Sequence, residues 1–332
     1  MQLLRHDLYI GPIDAYIDPP FPVERAIITH GHADHARSGH THILATQETI
    51  GIIRRRYGED AAKHYQPIQY GESVQQGPVK ITFYPAGHIL GSAQVLLESS
   101  GCRIVVSGDY KRRDDGTNPP FEPVPCDIFV TEATFGLPVF QHPAAHDEIA
   151  KLLASVRNFP DRSHLIAAYS LGKAQRVIKL LRLAGYDAPI YLHGSMIGMC
   201  ELYQEYGVDL GDLRKATGLP KGALKGQIVL APPSATKEVW ARRMDDPLIC
   251  MASGWMTIKQ RAKQSGVELP LVISDHADWN ELTTTIPETG AGEVWVTHGR
   301  EDALVHWCKT KGLKAAPLHM QGWEDEQQGD LA

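Results

Sequence analysis

Thr29-His30-Gly31-His32-Ala33-Asp34-His35 is the stretch on which the reading of this chain turns. It follows an apolar run, Ala26–Thr29, that reads as a β-strand, and it places three imidazoles and a carboxylate within six residues. Nitrogen and oxygen donors packed this densely suit zinc or manganese. Alternation turns His30 and His32 toward one cation position, while Asp34 and His35 can turn toward a second.

Three later residues complete the donor set. His88 stands in Pro85-Ala86-Gly87-His88, with Gly87 and Gly91 allowing the backbone a tight approach. Asp109 follows the predicted strand Arg103–Ser107, and His298 lies in Val296-Thr297-His298-Gly299 behind Glu293–Thr297. Positions just after strands suit a site, because loops there present side chains from a rigid scaffold.

Working outward, apolar runs bounded by turn residues alternate with helical patterns, which predicts an α/β fold. Further strands are expected at Val79–Tyr84, Gln94–Glu98, Ile128–Thr131, His164–Ala168, Ile190–His193, Ile228–Ala231, Leu248–Ala252 and Leu271–Ser274. Helices are expected at Gln47–Tyr57, Ala144–Val156, Lys173–Ala184, Ile197–Tyr206, Lys237–Arg243, Trp279–Ile286 and Asp302–Lys311. The Pro-rich stretch Asn118–Pro125 and the Gly/Lys-rich stretch Gly211–Gly226 read as loops.

The 332 residues suffice for two compact units at roughly 100–200 residues each. Five scattered cysteines without a CxxC pair argue against a disulfide framework and for a reducing compartment. No signal-like h-region and no run of about 18 apolar residues is present, so a cytoplasmic protein without membrane association is expected. The net charge of −6 argues against a broad basic face. Two divalent ions would add about four positive charges locally, so any nucleic acid is expected in a confined groove.

HxHxDH, then Gly-His, then Ser-Gly-Asp, in that order, resembles the metallo-β-lactamase superfamily. The resemblance implies that His30, His32 and His88 hold one metal and Asp34, His35 and His298 a second, with Asp109 bridging the two. Asp18, in Tyr16-Ile17-Asp18-Pro19, matches the family's first acidic motif and would orient a ligand from the second shell; Asp14 is the alternative. Thr131-Glu132-Ala133-Thr134-Phe135-Gly136, Ser274-Asp275-His276-Ala277-Asp278-Trp279 and Val296–Glu301 resemble motifs A, B and C of the β-CASP nucleases. The implied fold is a metallo-β-lactamase αββα sandwich, residues 1–136 joined to 269–332, with a β-CASP α/β domain inserted at 137–268. Within that branch the chain is similar to bacterial ligase-associated DNA exonucleases, in Ala168-Tyr169-Ser170-Leu171-Gly172-Lys173, Leu230–Ala235 and Ala252–Met256. Asp275 departs from the alanine that many RNA-acting members carry before the motif B histidine.

The resemblance implies two divalent ions, Zn²⁺ or Mn²⁺, and phosphodiester hydrolysis. Asp34 and Asp109 would orient the attacking water, His276 would act as general acid, and Glu132 would hold its ring. Alternatively, Glu132 and His276 are a buried polar pair. Phosphate contacts are expected from Ser170 and Lys173 at a helix amino terminus, from Ser253, and from Lys111 and Arg112 just past a metal ligand. Tyr169 and Trp255 are either core or base-stacking residues, and Arg54-Arg55-Arg56 reads as a solvated run. DNA cut from an end, tentative polarity 5′→3′, in a repair pathway shared with a DNA ligase and helicase is what the resemblance implies. RNA processing is the rival, and a small-substrate hydrolase has no use for the inserted domain.

Overall fold

The computed structural model describes residues 3–320 apart from 221 and 245. The chain divides into two compact units. The first comprises residues up to Asp114, Asn118–Val139 and the segment from His276; the second comprises Asp115–Thr117 and Phe140–Asp275.

The first unit holds two sheets. One runs in chain order: β1 (Tyr9–Ile10), β2 (Ala15–Ile17), β3 (Arg25–Ile27), β4 (His40–Thr46) and β5 (Ala62–Ile68). The other contains β6 (Ser73–Gln76), β7 (Val79–Pro85), β8 (Ala93–Ser99), β9 (Cys102–Val106) and β10 (Ile128–Ala133), extended beyond β10 by β17 (Glu293–Gly299) and β18 (Lys314–Pro317). Period-2 alternation explains the layering. Ile81, Phe83, Val95, Leu97, Ile104 and Val106 face Ile17, Ile27 and Leu44 of the other sheet in one core. The residues between them, among them Leu96 and Val105, join a separate core with Leu282, Ile286 and Leu304 of helices α6 (Trp279–Glu288) and α7 (Glu301–Thr310). On the opposite outer face, Ala26, Ile28 and Ile43 pack on Ile50 and Ile53 of α1 (Gln47–Tyr57). The result is an αββα sandwich.

The second unit has one sheet, all parallel, in the order β13 (Leu213–Lys215), β12 (Ile190–Leu192), β14 (Ile228–Ala231), β11 (His164–Ala167), β15 (Leu248–Ala252) and β16 (Leu269–Leu271). The central strands β14, β11 and β15 are largely apolar, as buried parallel strands are, whereas the edge strand β13 is Leu-Arg-Lys. Its helices are α2 (Ala145–Asn158), α3 (Lys173–Leu183), α4 (Gly194–Glu205) and α5 (Lys259–Gln264). From β11 the chain moves to one side of the sheet and from β14 to the other. The loops behind these neighbouring strands therefore diverge, leaving a crevice of the kind where open α/β sheets take ligands.

Several details differ from the sequence expectations: Leu213–Lys215, inside the stretch Gly211–Gly226 read as a loop, is strand β13, and the strand expected at Leu271–Ser274 lies at Leu269–Leu271. β16 pairs with β15, so residues 269–271 belong to the second unit's sheet, and the unit boundaries fall at 139/140 and 275/276 instead of 136/137 and 268/269. The helix expected at Lys237–Arg243 is two short 3₁₀ turns, Ala235–Lys237 and Ala241–Arg243. Arg56 is not merely solvated: its guanidinium donates to the Gly31 carbonyl at 2.6 Å, bracing the backbone between His30 and His32. All five cysteines are free thiols. Among the described residues no helix is long and apolar enough to cross a membrane.

Candidate metal centre

The donors of the first unit converge from four loops or strand ends. His30, His32, Asp34 and His35 lie in the loop after β3, His88 between β7 and β8, Asp109 after β9, and His298 within β17. Two glycines make the close approach possible. A Cβ on Gly31 would sit 2.6 Å from Ile52, and one on Gly87, at φ +70°, would sit 2.2 Å from the Lys111 carbonyl.

Asp109 stands at the centre. Its Oδ2 lies 3.5 Å from His30 Nε2, 3.6 Å from His35 Nε2 and 3.8 Å from His88 Nε2. His88 Nε2 is 3.0 Å from His32 Nδ1, and His30, His32, His88 and Asp109 form one group able to hold an ion. Four donors at about 2.0–2.2 Å from a tetrahedral zinc are themselves spaced by distances of this size. The donors also carry a deficit. His30 Nε2, His35 Nε2 and Asp109 Oδ1 are buried without a hydrogen-bond partner among the described residues. Each such atom costs roughly 1–3 kcal/mol unless something else satisfies it. A divalent cation fits this deficit, and the residues present suit one.

The hydrogen bonds behind the donors fix which nitrogen is available. Thr29 Oγ1 donates to Asp18 Oδ2 at 2.5 Å, so with its single proton used it can only accept from His30 Nδ1, 3.0 Å away. His35 Nδ1 donates to the same carboxylate at 2.8 Å, and the Thr29 amide donates to Asp18 Oδ1. Both imidazoles are thereby protonated on Nδ1, with Nε2 directed at Asp109. Asp18, at φ +47°, accepts three of these bonds; Asp14 is exposed and, among the described residues, accepts from the Tyr9 hydroxyl. Thr29 is the link that the sequence reading missed, although it opens the quoted motif.

Electrostatics follow the same geometry. Burial, reinforced by the neighbouring imidazoles, pushes the His30 pKa well below its ordinary value, keeping the ring neutral. Burial also opposes charge on His35, but Asp109 and the Asp18 hydrogen bond outweigh it and hold its pKa at about 9. The surrounding imidazoles keep the buried Asp109 carboxyl below the usual carboxylate range.

The second expected donor set is looser. Asp34 Oδ2 lies 3.9 Å from His35 Nε2 on a side chain that is 72% exposed. The His298 ring sits 4.8 Å from that of His35, and His298 holds φ +53°, a left-handed conformation uncommon outside glycine. The two residues flank His35 and Asp109 as an open rim.

Glu132 is fully buried in β10. Its Oε1 accepts from the Tyr110 amide at 2.8 Å and its Oε2 from His276 Nδ1 at 3.0 Å. His276 Nδ1 is also 3.8 Å from Asp109 Oδ2, so the pair adjoins the donor cluster. Lys111 reaches this loop from beneath. Its ammonium donates to the His276 carbonyl at 3.1 Å and to Glu281 at 2.6 Å. Arg112 turns to α6 as well, donating to Glu288 at 2.5 Å and Thr285 at 3.1 Å.

In the second unit the expected phosphate-binding groups have internal partners. The buried Lys173 ammonium is ion-paired with the buried Asp275 carboxylate. Gln175 caps the start of α3, accepting from the Gly172 amide and donating to the Ser170 carbonyl at 2.8 and 2.9 Å. Ser253 Oγ accepts from the Trp255 amide at 3.3 Å. Trp255 packs against Phe140 and under Arg261, whereas Tyr169 is 62% exposed behind β11.

No family model matches the chain. Among known proteins, a "Probable DNA ligase" of Opitutus terrae is 26% identical over 317 residues, 93% of this chain and 30% of that protein. An "RNase J-like protein" of Methanocaldococcus jannaschii is 27% identical over 217 residues, 55% of this chain and 50% of that protein. The chain thus spans half or less of the length of these relatives. A crystal structure of a protein of unknown function from Enterococcus faecalis superposes with a TM-score of 0.58 at 12% identity, over 82% of this chain and 75% of that one, and so shares the fold. By its motif order, its αββα sandwich and these relatives, the chain is similar to the metallo-β-lactamase superfamily and to its β-CASP branch.

Proposed function

We propose that the chain is a metal-dependent nuclease that hydrolyses DNA from an end. The observation that carries the chemistry is the arrangement of Asp109, Glu132 and His276 around one buried donor cluster. Two divalent ions, Zn²⁺ or Mn²⁺, would neutralise the phosphodiester and acidify the attacking water there. The chain's own residues do the rest. Asp109 and Asp34 accept hydrogen bonds from the water and set its line of approach to phosphorus. Glu132 keeps a proton on His276 Nδ1, so that the opposite nitrogen can deliver one to the leaving oxygen. Lys111 acts as a positioning residue, fixing the backbone that carries His276.

The DNA preference rests on coverage. The relative that matches across both units, 93% of this chain, is named for DNA, whereas the RNase J-like match covers 55%. That name also favours a role beside ligation in repair, in the cytoplasm, with a helicase as a further associate by family resemblance alone. The exposure of Tyr169 behind β11 supports a role in stacking on a base. Ser170, Ser253, Lys173 and Arg112 are then frame for the strand's path more than its direct contacts. RNA processing is the second reading, favoured by the RNase J-like relative.

The test is a time course on single-stranded DNA and RNA of one sequence, labelled separately at each end, with Mn²⁺, Zn²⁺ or chelator. Mononucleotide released first from the 5′ label of DNA, and none with chelator, is the expected result. Cleavage confined to RNA, or internal fragments appearing first, overturns the DNA exonuclease reading.

A further inference from the structure

The stretch Gly211–Gly226 reads in sequence as a loop, and nothing in the proposed hydrolysis uses it. From Leu213 to Gly226 it carries four Lys or Arg and no Asp or Glu, in a chain of net charge −6. In the second unit this loop closes over one face of the parallel sheet and, with the 3₁₀ turn Ala241–Arg243, encloses a cavity of about 420 Å³. That volume is within the small-molecule range of roughly 300–1,000 Å³.

The lining has three kinds of group. The floor is apolar, with Leu224 and Met244 packed on the core beneath the sheet face. One wall is the Trp240 indole, held edge-on by the His193 ring at 4.9 Å. The rim carries Lys225 and Arg242, both exposed, and among the described residues no acidic one lines the cavity. An apolar slot beside an indole takes a flat ring, and two cations above it take an anion. Ser163, Lys225 and Met244 stand ahead of β11, β14 and β15, so the cavity opens at the amino-terminal side of these strands, away from the crevice behind β11.

We infer that this cavity binds a nucleoside monophosphate, its base against Trp240 and its phosphate between Lys225 and Arg242. The inference rests on the nuclease reading for the ligand's identity, since a nucleoside monophosphate is the product that such an enzyme releases. The same chemistry is offered by a free nucleotide or by one nucleotide of a bound strand.

Calorimetric titration of the metal-free full-length chain tests it, with dAMP, adenosine, inorganic phosphate and a phosphorothioate trinucleotide as probes. We expect one equivalent of dAMP to bind, with adenosine and phosphate each at least tenfold weaker. Trp240→Leu and Arg242→Glu should each weaken dAMP at least tenfold at an unchanged melting temperature, while Trp240→Phe stays within about threefold. Binding of dAMP but not the trinucleotide assigns a free nucleotide, and equal binding assigns a strand subsite; both support the site's chemistry. No heat with dAMP, or wild-type affinity in both disruptive variants, overturns it. A chain that cuts DNA but fails this titration refutes the pocket alone. One that binds dAMP through Trp240 but is inert on DNA and RNA refutes the nuclease reading alone.

Discussion

The donor cluster of the first unit and the helix start of the second both gather charged side chains in buried surroundings, but they balance their polar atoms differently. Around Asp109, His30 Nε2, His35 Nε2 and Asp109 Oδ1 are buried without a hydrogen-bond partner among the described residues. Around α3, Lys173 is answered by Asp275 and the cap by Gln175. A buried polar atom without a partner is costly, and a fold tolerates it where a ligand completes the set. A buried ion pair supplies each charge with a partner from the fold itself. The contrast separates residues that bind from residues that hold, where charge and burial alone do not.

The largest effect should come from the cluster. Asp109→Ala or His32→Ala should abolish phosphodiester hydrolysis, by more than about 10³-fold, because the central carboxylate or a donor is lost. Full turnover in either variant would break the contrast at its strong end. Next is the acid. His276→Ala should lower turnover about 10²–10⁴-fold with bound metal retained, and a substrate with a much better leaving group should recover most of the loss. Without that recovery, Glu132 and His276 are a structural pair only.

The helix start should respond in stability. Lys173→Met removes the buried cation that faces the Asp275 carboxylate, at a cost of roughly 3–5 kcal/mol in denaturant unfolding, and adding Asp275→Leu should restore most of it. If Lys173→Met instead unfolds normally but binds phosphorylated DNA ends poorly, Lys173 is a substrate contact and the contrast fails there. The smallest effect concerns Thr29. Thr29→Val removes the hydroxyl joining Asp18 to His30 and should weaken metal binding about 10–100-fold, whereas Thr29→Ser should bind as wild type.

How much of this was legible in the sequence depended on whether the signal was local. His30, His32 and His35 share one short motif, and the structure brings His88 and Asp109 to them because each follows a strand of the same sandwich. The strands at Val79, Ile128 and Ile228 were readable because their apolar runs are continuous or alternate. β4 and β5 were not: His40-Thr41-His42 and Lys63-His64-Tyr65-Gln66 place polar residues on strands near a sheet edge. Partner choice was the other blind spot. Asp275 as an unusual residue and Lys173 as a candidate phosphate ligand were separate observations, and only the fold of the second unit shows that each answers the other across 102 positions. Lys111 likewise sits two residues from a metal ligand in sequence, yet points at Glu281, 170 positions away.

The atoms left unsatisfied around Asp109 fit a divalent-metal centre. Its most direct test is the metal content of the purified chain after dialysis against Mn²⁺ or Zn²⁺, measured beside hydrolysis. The account predicts two equivalents bound per chain and hydrolysis that rises with their loading and vanishes with chelator. No bound metal, or hydrolysis indifferent to chelator, would contradict it.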